Sequence, residues 1–276
     1  MSDNNANNAL RFLYNTKPGR TILKVMILPG FSIVIGRFLN SRFSKPFIKP
    51  FIKKNKINTY EYEDREYSSY NDYFKRKLKK GIRTLDVNPD SFISPCDSSL
   101  LVYPIYLNGQ YKIKNSKYTI KDLLRDEELA NEYEGGYMMV FRLAVDNYHR
   151  YCFIDNGYVN DSTFINGVLH TVQPIAFNSC NVFSENCREY CTIETQNFGK
   201  IVQCEVGAMI VGRISNHRII GDVKKGQEKG NFEFGGSTII VLVKKDKIAI
   251  RDDIANNSLC NVETKVKIGE KIAQKL

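Results

Sequence analysis

The 276-residue chain has no tryptophan and only three histidines, and residues 4–60 contain no acidic side chain. Each scarcity excludes something. With only His149, His170 and His217, a three-histidine metal site would consume all of them, so a histidine here reads as a general acid or base and no metal is expected. The cysteines (Cys96, Cys152, Cys180, Cys187, Cys191, Cys204 and Cys260) are odd in number and lack paired C-x-x-C spacing. That argues against a disulfide framework or a zinc site, since Cys187 and Cys191 have no second pair. No signal peptide with a cleavage site is apparent, so reduced thiols in the cytosol are expected.

The missing acids leave an uneven charge. Eleven Lys and Arg residues between Arg11 and Lys56 exceed the net charge of +10, so the rest of the chain is close to neutral. Apolar residues from Leu23 to Ile52 are interleaved with them. Within this segment the longest uncharged stretch, 25–36, is broken by Pro29-Gly30 and falls short of the roughly 20 residues that span a bilayer. An apolar face with Lys and Arg and no acid suits the headgroup region of an anionic membrane. Nucleic acid is the rival partner for a basic segment, but phosphate-binding arms are more polar than this one, and no nucleic acid is expected. A basic helix pair packed on the body is the third reading.

What is present points to an α+β protein. Residues 1–90 read as a helical, basic, membrane-associating region, and residues 91–276 as a β-rich core built from short β-branched runs with Asn-Gly and Gly-Gly turns. Helical pieces between Arg20 and Asn55 are expected to separate at Pro29, Pro46 and Pro50. Ser69–Lys80 reads as one amphipathic helix with Tyr70, Tyr73, Phe74 and Leu78 on one face, stopped by Gly81. One further helix, Ile120–Tyr133, interrupts the strands.

The stretch EKGNFEFGGSTIIVLVKK, residues 228–245, places Gly235, Gly236 and Ser237 between an alternating strand and a buried one. A hairpin would also want glycine there. Alternatively, the glycines permit a strained peptide, and the Ser237 hydroxyl attacks the carbonyl of Gly236. His149 sits in a polar patch between apolar strands, three residues after Asp146. His217, between Asn216 and Arg218, reads as a surface residue.

Several motifs fall in the order and spacing of one family. KKGQEKGNFEFGGSTIIVL resembles the self-cleavage segment of the phosphatidylserine decarboxylase proenzymes, of the form KGxExGxFxFGGST. SYNDYFKRKLKKGIR, SPCDSSL, RLAVDNYHRYCFIDNG, NCREY, NFGKIVQCEVGAMIVGRI and VKIGEKI are similar to further segments of that family, from about residue 20 to the end.

The resemblance implies a membrane-bound enzyme that converts phosphatidylserine to phosphatidylethanolamine and CO2. It would use a pyruvoyl cofactor made from its own Ser237. By analogy, the Gly236-Ser237 bond breaks through a serine ester and dehydroalanine, leaving a large chain of residues 1–236 and a pyruvoyl-capped small chain of residues 237–276. The ketone supplies the electron sink that a decarboxylating amino acid needs. The expected partners are an anionic phospholipid surface, phosphatidylserine and the two chains of the same proenzyme, with a homodimer as a further candidate. The expected location is peripheral, on the cytoplasmic face of the cell membrane. Asp97 matches the residue that orients the base, and His149 matches the acid/base for decarboxylation.

One departure stands out. Cys152 occupies the position of the family's second histidine, the base for self-cleavage. Either Cys152 is structural and His170, in the next β segment, serves instead, or maturation is impaired. A decarboxylase of another serine-headgroup lipid and a processing-defective membrane-binding relative are the alternatives.

Overall fold

The structure, a computed structural model, describes residues 11–106, 111–113, 116–170, 182–208, 214–233 and 237–276. In chain order the strands are β1 (Ser91–Ile93), β2 (Ser98–Pro104), β3 (Tyr111–Ile113), β4 (Ser116–Tyr118), β5 (Tyr137–Leu143), β6 (Arg150–Cys152), β7 (Gly157–Ile165) and β8 (Arg188–Thr195). They continue as β9 (Gly199–Val206), β10 (Ile214–Asn216), β11 (Gly221–Val223), β12 (Glu228–Phe232), β13 (Ser237–Val243), β14 (Ile248–Ile250), β15 (Thr264–Val266) and β16 (Lys271–Lys275).

The β-branched run STIIVLV forms β13 and is buried at every position. A strand so uniformly apolar must be covered on both faces, and its pairing accounts for this. β13 lies inside an eight-stranded antiparallel sheet of order β11-β7-β8-β9-β13-β5-β2-β15, paired from Ser237↔Leu143 to Val243↔Tyr137 with β5 and from Thr238↔Val206 to Leu242↔Val202 with β9. Alternate residues enter two different cores. Ile240 and Leu242 join Val140, Val202, Cys204 and Val206 under Leu123, Leu124 and Leu129, with Tyr14 and Leu23 from the N-terminal region. Ile239, Val241 and Val243 join Phe141, Leu143 and Leu100 on the other face. That face is closed by Tyr151 and Phe232 of a three-stranded sheet, β10-β12-β6, and by Phe92 and Ile272 of another, β1-β16-β14.

The strands flanking the glycine pair therefore belong to different sheets. β12 pairs with β10 and β6, whereas β13 pairs with β5 and β9. The hairpin reading of this stretch is wrong: the connection passes from one layer to another. Phe234, Gly235 and Gly236 themselves lie outside the described residues.

The N-terminal helices depart from expectation in detail. α1 (Lys17–Met26) is capped by Thr16, whose Oγ1 accepts from the Gly19 N–H at 3.0 Å. α2 (Pro29–Leu39) begins at its proline, a 3-10 turn spans Arg42–Phe47 around Pro46, and α3 (Ile48–Asn55) carries Pro50 within its first turn. Pro50 does not divide helices, because the N–H that proline lacks would have no intrahelical partner in a first turn. The predicted helix Ser69–Lys80 is only α4 (Tyr70–Phe74). It ends where residues 77–79 turn to pair with the chain near Glu61 and Glu63, through Glu63 N to Lys77 O at 2.9 Å and Lys79 N to Glu61 O at 3.0 Å. The predicted helix Ile120–Tyr133 is two, α5 (Ile120–Leu124) and α6 (Glu127–Asn131). Arg125 takes a left-handed φ of 52°, and Asp126 starts the second helix by accepting from the Leu129 N–H at 3.0 Å. Residues 11–15 are also helical, a 3-10 turn spans Thr59–Glu61, and α7 (Val182–Glu185) and α8 (Asp252–Leu259) lie further along the chain. Ile48, Phe51, Tyr70, Tyr73 and Phe74 form a third cluster belonging to the N-terminal region.

Phe141 is fully buried beside β13. Phe141→Ala should lower unfolding free energy by about 3–5 kcal/mol, read from the denaturation midpoint in urea; a loss below 1 kcal/mol would mean that this core collapses around the gap.

Candidate functional site

The end of β5, the turn after it and the start of β13 converge. Ser237 pairs with Leu143, and the chain then turns at residues 144–147, where the Ala144 N–H donates to Asn147 Oδ1 at 2.7 Å. His149 follows and is buried, its ring packed on Phe74 with centroids 4.2 Å apart. His149 Nδ1 lies 2.9 Å from the Asn147 carbonyl oxygen. A carbonyl can only accept, so Nδ1 carries the proton and the lone pair of the neutral ring is on Nε2. The Phe232 N–H donates to the His149 carbonyl at 2.9 Å. The strand that leads into the glycine stretch and the strand that leaves it thus flank the same turn.

Arg76 holds this turn from behind. Its side chain is fully buried and donates to the carbonyls of Asp146 and Asn147 at 3.2 and 3.3 Å and to the Tyr62 hydroxyl at 3.3 Å. The guanidinium lies over the rings of Tyr62 and Tyr73, 4.3 and 5.1 Å from their centroids. Sequence reasoning missed Arg76, because a basic residue among KRKLKK looks solvated.

Ser237 is fully buried, and its hydroxyl makes no hydrogen bond among the described residues. Such a group carries a desolvation cost that a hairpin serine on the surface would not. By strand parity its side chain shares a face with Ile239, Leu143, Gln203 and Glu205.

Asp97 lies just before β2, whose Ser99 faces Arg142, so it is at the same end of the sheet as Ser237 with β5 between them. Its partners are Arg83 at 2.9 Å, Lys267 at 3.3 Å and the Ile268 N–H at 2.8 Å, none of them a histidine. Arg83 also binds Glu61 at 2.7 Å.

His170 is placed elsewhere. Its Nδ1 is 3.3 Å from the Tyr14 hydroxyl and its Nε2 is 3.4 Å from Glu185, while Asn186 clamps its backbone by accepting from His170 N–H at 2.9 Å and donating to its carbonyl at 2.8 Å. The same Asn186 amide reaches the Gly207 carbonyl at 2.7 Å, so His170 lies near the strand beside Ser237, yet no hydrogen bond joins the two side chains. His217 is half exposed, with Nε2 3.0 Å from Glu228. Cys152 is buried, and burial pushes its thiol up to about 12. A thiol so protonated cannot take a proton near neutral pH.

A second group missed by sequence reasoning is the buried pair Lys229 and Glu205, 2.5 Å apart, with side chains 4% and 0% exposed. Asn216 Nδ2 donates to the same carboxylate oxygen, Oε2, at 3.0 Å, and its Oδ1 accepts from the Tyr151 hydroxyl at 2.9 Å. Lys229, Cys191 and Asn216 line a cavity of about 660 Å³. The signal was available in KIVQCEV, where Gln203 and Glu205 interrupt the apolar parity of a buried strand. Among the described residues no cluster of three or more His, Cys, Asp or Glu side chains could hold a metal ion.

Comparison with known proteins bears on this geometry. The family model described as phosphatidylserine decarboxylase matches residues 70–274. The chain is 49% identical over 269 residues to phosphatidylserine decarboxylase proenzyme 2 of Clostridium acetobutylicum, covering 97% of this chain and 92% of that protein. It is 39% identical over 271 residues to the phosphatidylserine decarboxylase proenzyme of Clostridium tetani, covering 96% and 91%. The proenzyme of Fusobacterium nucleatum is 37% identical over 269 residues, covering 95% and 90%.

Burial holds the His170 ring below the usual histidine range, with Glu185 pulling the other way. A histidine harder to protonate when folded contributes nothing above its unfolded pKa of about 6.5 and destabilises as pH falls through that value. Wild-type melting temperature should therefore drop more between pH 7.5 and 5.5 than that of His170→Gln. Equal drops would mean that the folded ring protonates as readily as a free one.

Proposed function

This chain belongs to the phosphatidylserine decarboxylase family, and from that premise we propose that it converts phosphatidylserine to phosphatidylethanolamine and CO2 through a pyruvoyl group formed from its own Ser237. The observation that carries this reading is the Ser237 hydroxyl: fully buried, unpartnered among the described residues, and first in the central strand, where the chain arrives from another sheet. Those features fit a residue held for reaction with its preceding peptide. A pyruvoyl group at this position would supply a carbonyl sink for the electrons left by departing CO2.

The chain's own residues supply the rest. His149, whose Nδ1–H donates to the Asn147 carbonyl, would in its neutral form offer a lone pair on Nε2 to take or return a proton at the substrate α-carbon. Arg76 keeps the Asn147 carbonyl in place. Phe74 and the surrounding core exclude water from that ring. Asp97 binds Arg83 and Lys267 and so ties the loop before β2 to the loop before β16.

The lipid surface is the second part of the proposal. Val25, Ile33, Val34 and Phe43 are 57%, 55%, 63% and 83% exposed, amid exposed Lys24, Arg37, Arg42 and Lys49. Among the described residues no single helix is long and apolar enough to cross a membrane, although Lys17–Met26 and Gly30–Leu39, bent by 69°, reach the required length together. An apolar, cationic surface of this kind favours peripheral seating on an anionic leaflet, the cytoplasmic face of the cell membrane.

Intact mass under denaturing conditions tests the first part. Wild type should give two fragments divided at Gly236, the smaller without a free amino terminus, and Ser237→Ala should give one uncut, inactive chain. Splitting of the Ser237→Ala chain would move the cut elsewhere; an uncut wild type would favour a processing-defective relative, and activity on a different serine-headgroup lipid alone would change the substrate. Replacing Lys49, Lys53, Lys54 and Lys56 with Gln should weaken binding to phosphatidylserine vesicles by about 1 kcal/mol per charge near the surface. Unchanged vesicle binding would remove these lysines from the membrane contact.

A further inference from the structure

Among the described residues the groups around Ser237 leave few candidates for a base, and His149, whose Nδ1 is bound to the Asn147 carbonyl, is assigned to the substrate. The Cys152 thiol is buried and protonated. The His170 ring is occupied by Tyr14 and Glu185. Asp97 is committed to Arg83, Lys267 and the Ile268 N–H. One carboxylate remains on the face of the sheet to which the Ser237 side chain belongs.

Glu205 is that group. In the β9–β13 pairing it stands opposite Ile239, two residues along the strand from Ser237 and on the same face. Continuing the register from Thr238↔Val206 puts Gly207 opposite Ser237, so no side chain on β9 stands between the carboxylate and the hydroxyl. Such diagonal neighbours are roughly 7–8 Å apart at Cα, and Ser237 Oγ and Glu205 Oε1 both lack a hydrogen-bond partner among the described residues, so proton transfer between them would need a rotamer change or a bridging water. The two carboxylate oxygens differ: Oε2 is held by Lys229 at 2.5 Å and Asn216 at 3.0 Å, whereas Oε1 is buried without a hydrogen-bond partner among the described residues.

Resting on the reading of Ser237 as the self-cleavage residue, we propose that Glu205, fixed by Lys229, is the base for the first step of maturation in this chain. Glu205 accepts the proton of the Ser237 hydroxyl as Oγ bonds to the Gly236 carbonyl carbon. It returns that proton to the Ser237 nitrogen as the Gly236–Ser237 C–N bond breaks. The products are an ester and a free amine, and the step needs no oxidant, reductant or co-reactant. Burial also raises the Glu205 carboxyl above the ordinary carboxylate range despite the pull of Lys229, which makes the carboxylate a stronger base. Lys229 favours the ionised form and holds Oε2, leaving Oε1 on the other side of the carboxylate.

The test follows cleavage of freshly made full-length chain by denaturing gel and intact mass, with circular dichroism and melting temperature recorded for each variant. Glu205→Gln should cut about 100-fold more slowly or not at all, and Glu205→Asp, which keeps a carboxylate on a shorter stem, should cut at an intermediate rate. Because Glu205→Gln strands a buried lysine and risks misfolding, the double variant Glu205→Gln/Lys229→Met removes both charges together; folded and uncut is the expected result. Cys152→Ala should cut at the wild-type rate. A folded double variant that cuts as fast as wild type would show the pair to be structural and overturn the proposal, as would loss of cutting in a folded Cys152→Ala. A wild-type chain that never splits would instead overturn the self-cleavage reading itself, and this proposal with it.

Discussion

The two-sided burial of β13 is the constraint on which the site depends. A strand with one solvated face can tolerate a slip in register, but a one-residue slip in β13 would drive Ile239 and Val241 into the opposite core and turn Ser237 over with them. The pairings with β5 and β9 extend over most of the strand, so the apolar residues after Ser237 determine where its hydroxyl points. The first residue is thus positioned by packing at the next six. The same parity places Glu205 and Gln203 on that face, where charge and amide would otherwise be out of place.

The N-terminal region is joined to this site by side chains, not merely laid against it. Phe74 packs on His149, Arg76 grips the Asn147 carbonyl, and Arg150 Nε donates to the Lys75 carbonyl at 2.9 Å. Asn71 Nδ2 reaches both Asn40 Oδ1 at 3.0 Å, beyond the end of α2, and Glu233 Oε2 at 3.2 Å, just before the glycine pair. Two hydrogen bonds through Asn71 therefore link the end of α2 to Glu233, next to the glycine pair. The division at residue 90 that composition suggests does not follow these contacts, since Phe74 and Arg76 bear directly on the His149 turn.

Much of this was legible in the residues. STIIVLV could only be a buried strand, GGS before it required explanation, and the scarcity of histidine directed attention to His149. The lengths of the helices were not legible. Ser69–Lys80 has helical spacing throughout, but backbone pairing near Glu61 and Glu63 and the burial of Arg76 win after Phe74. Ile120–Tyr133 breaks because Asp126 is a better helix start than a helix interior. Charged residues at strand positions were the other blind spot. Lys229 and Glu205 look like solvated residues until register puts one above the other between two sheets, and no local pattern encodes a pairing across 24 residues.

If Glu205 is the maturation base, the Lys229–Glu205 pair would make a thiol at position 152 compatible with self-cleavage. A histidine brings a neutral base that tolerates burial. A carboxylate at equal depth must be compensated, and compensation by a single lysine from one side leaves the opposite oxygen basic. Asn216 adds a second donor to the compensated oxygen and none to the other. Three residues from three strands, β9, β10 and β12, thereby build an asymmetry that a single imidazole carries within its own ring, with one nitrogen bound and the other holding a lone pair. Burial that disables the Cys152 thiol by keeping it protonated strengthens the Glu205 carboxylate as a base, because in both groups it opposes the charged form.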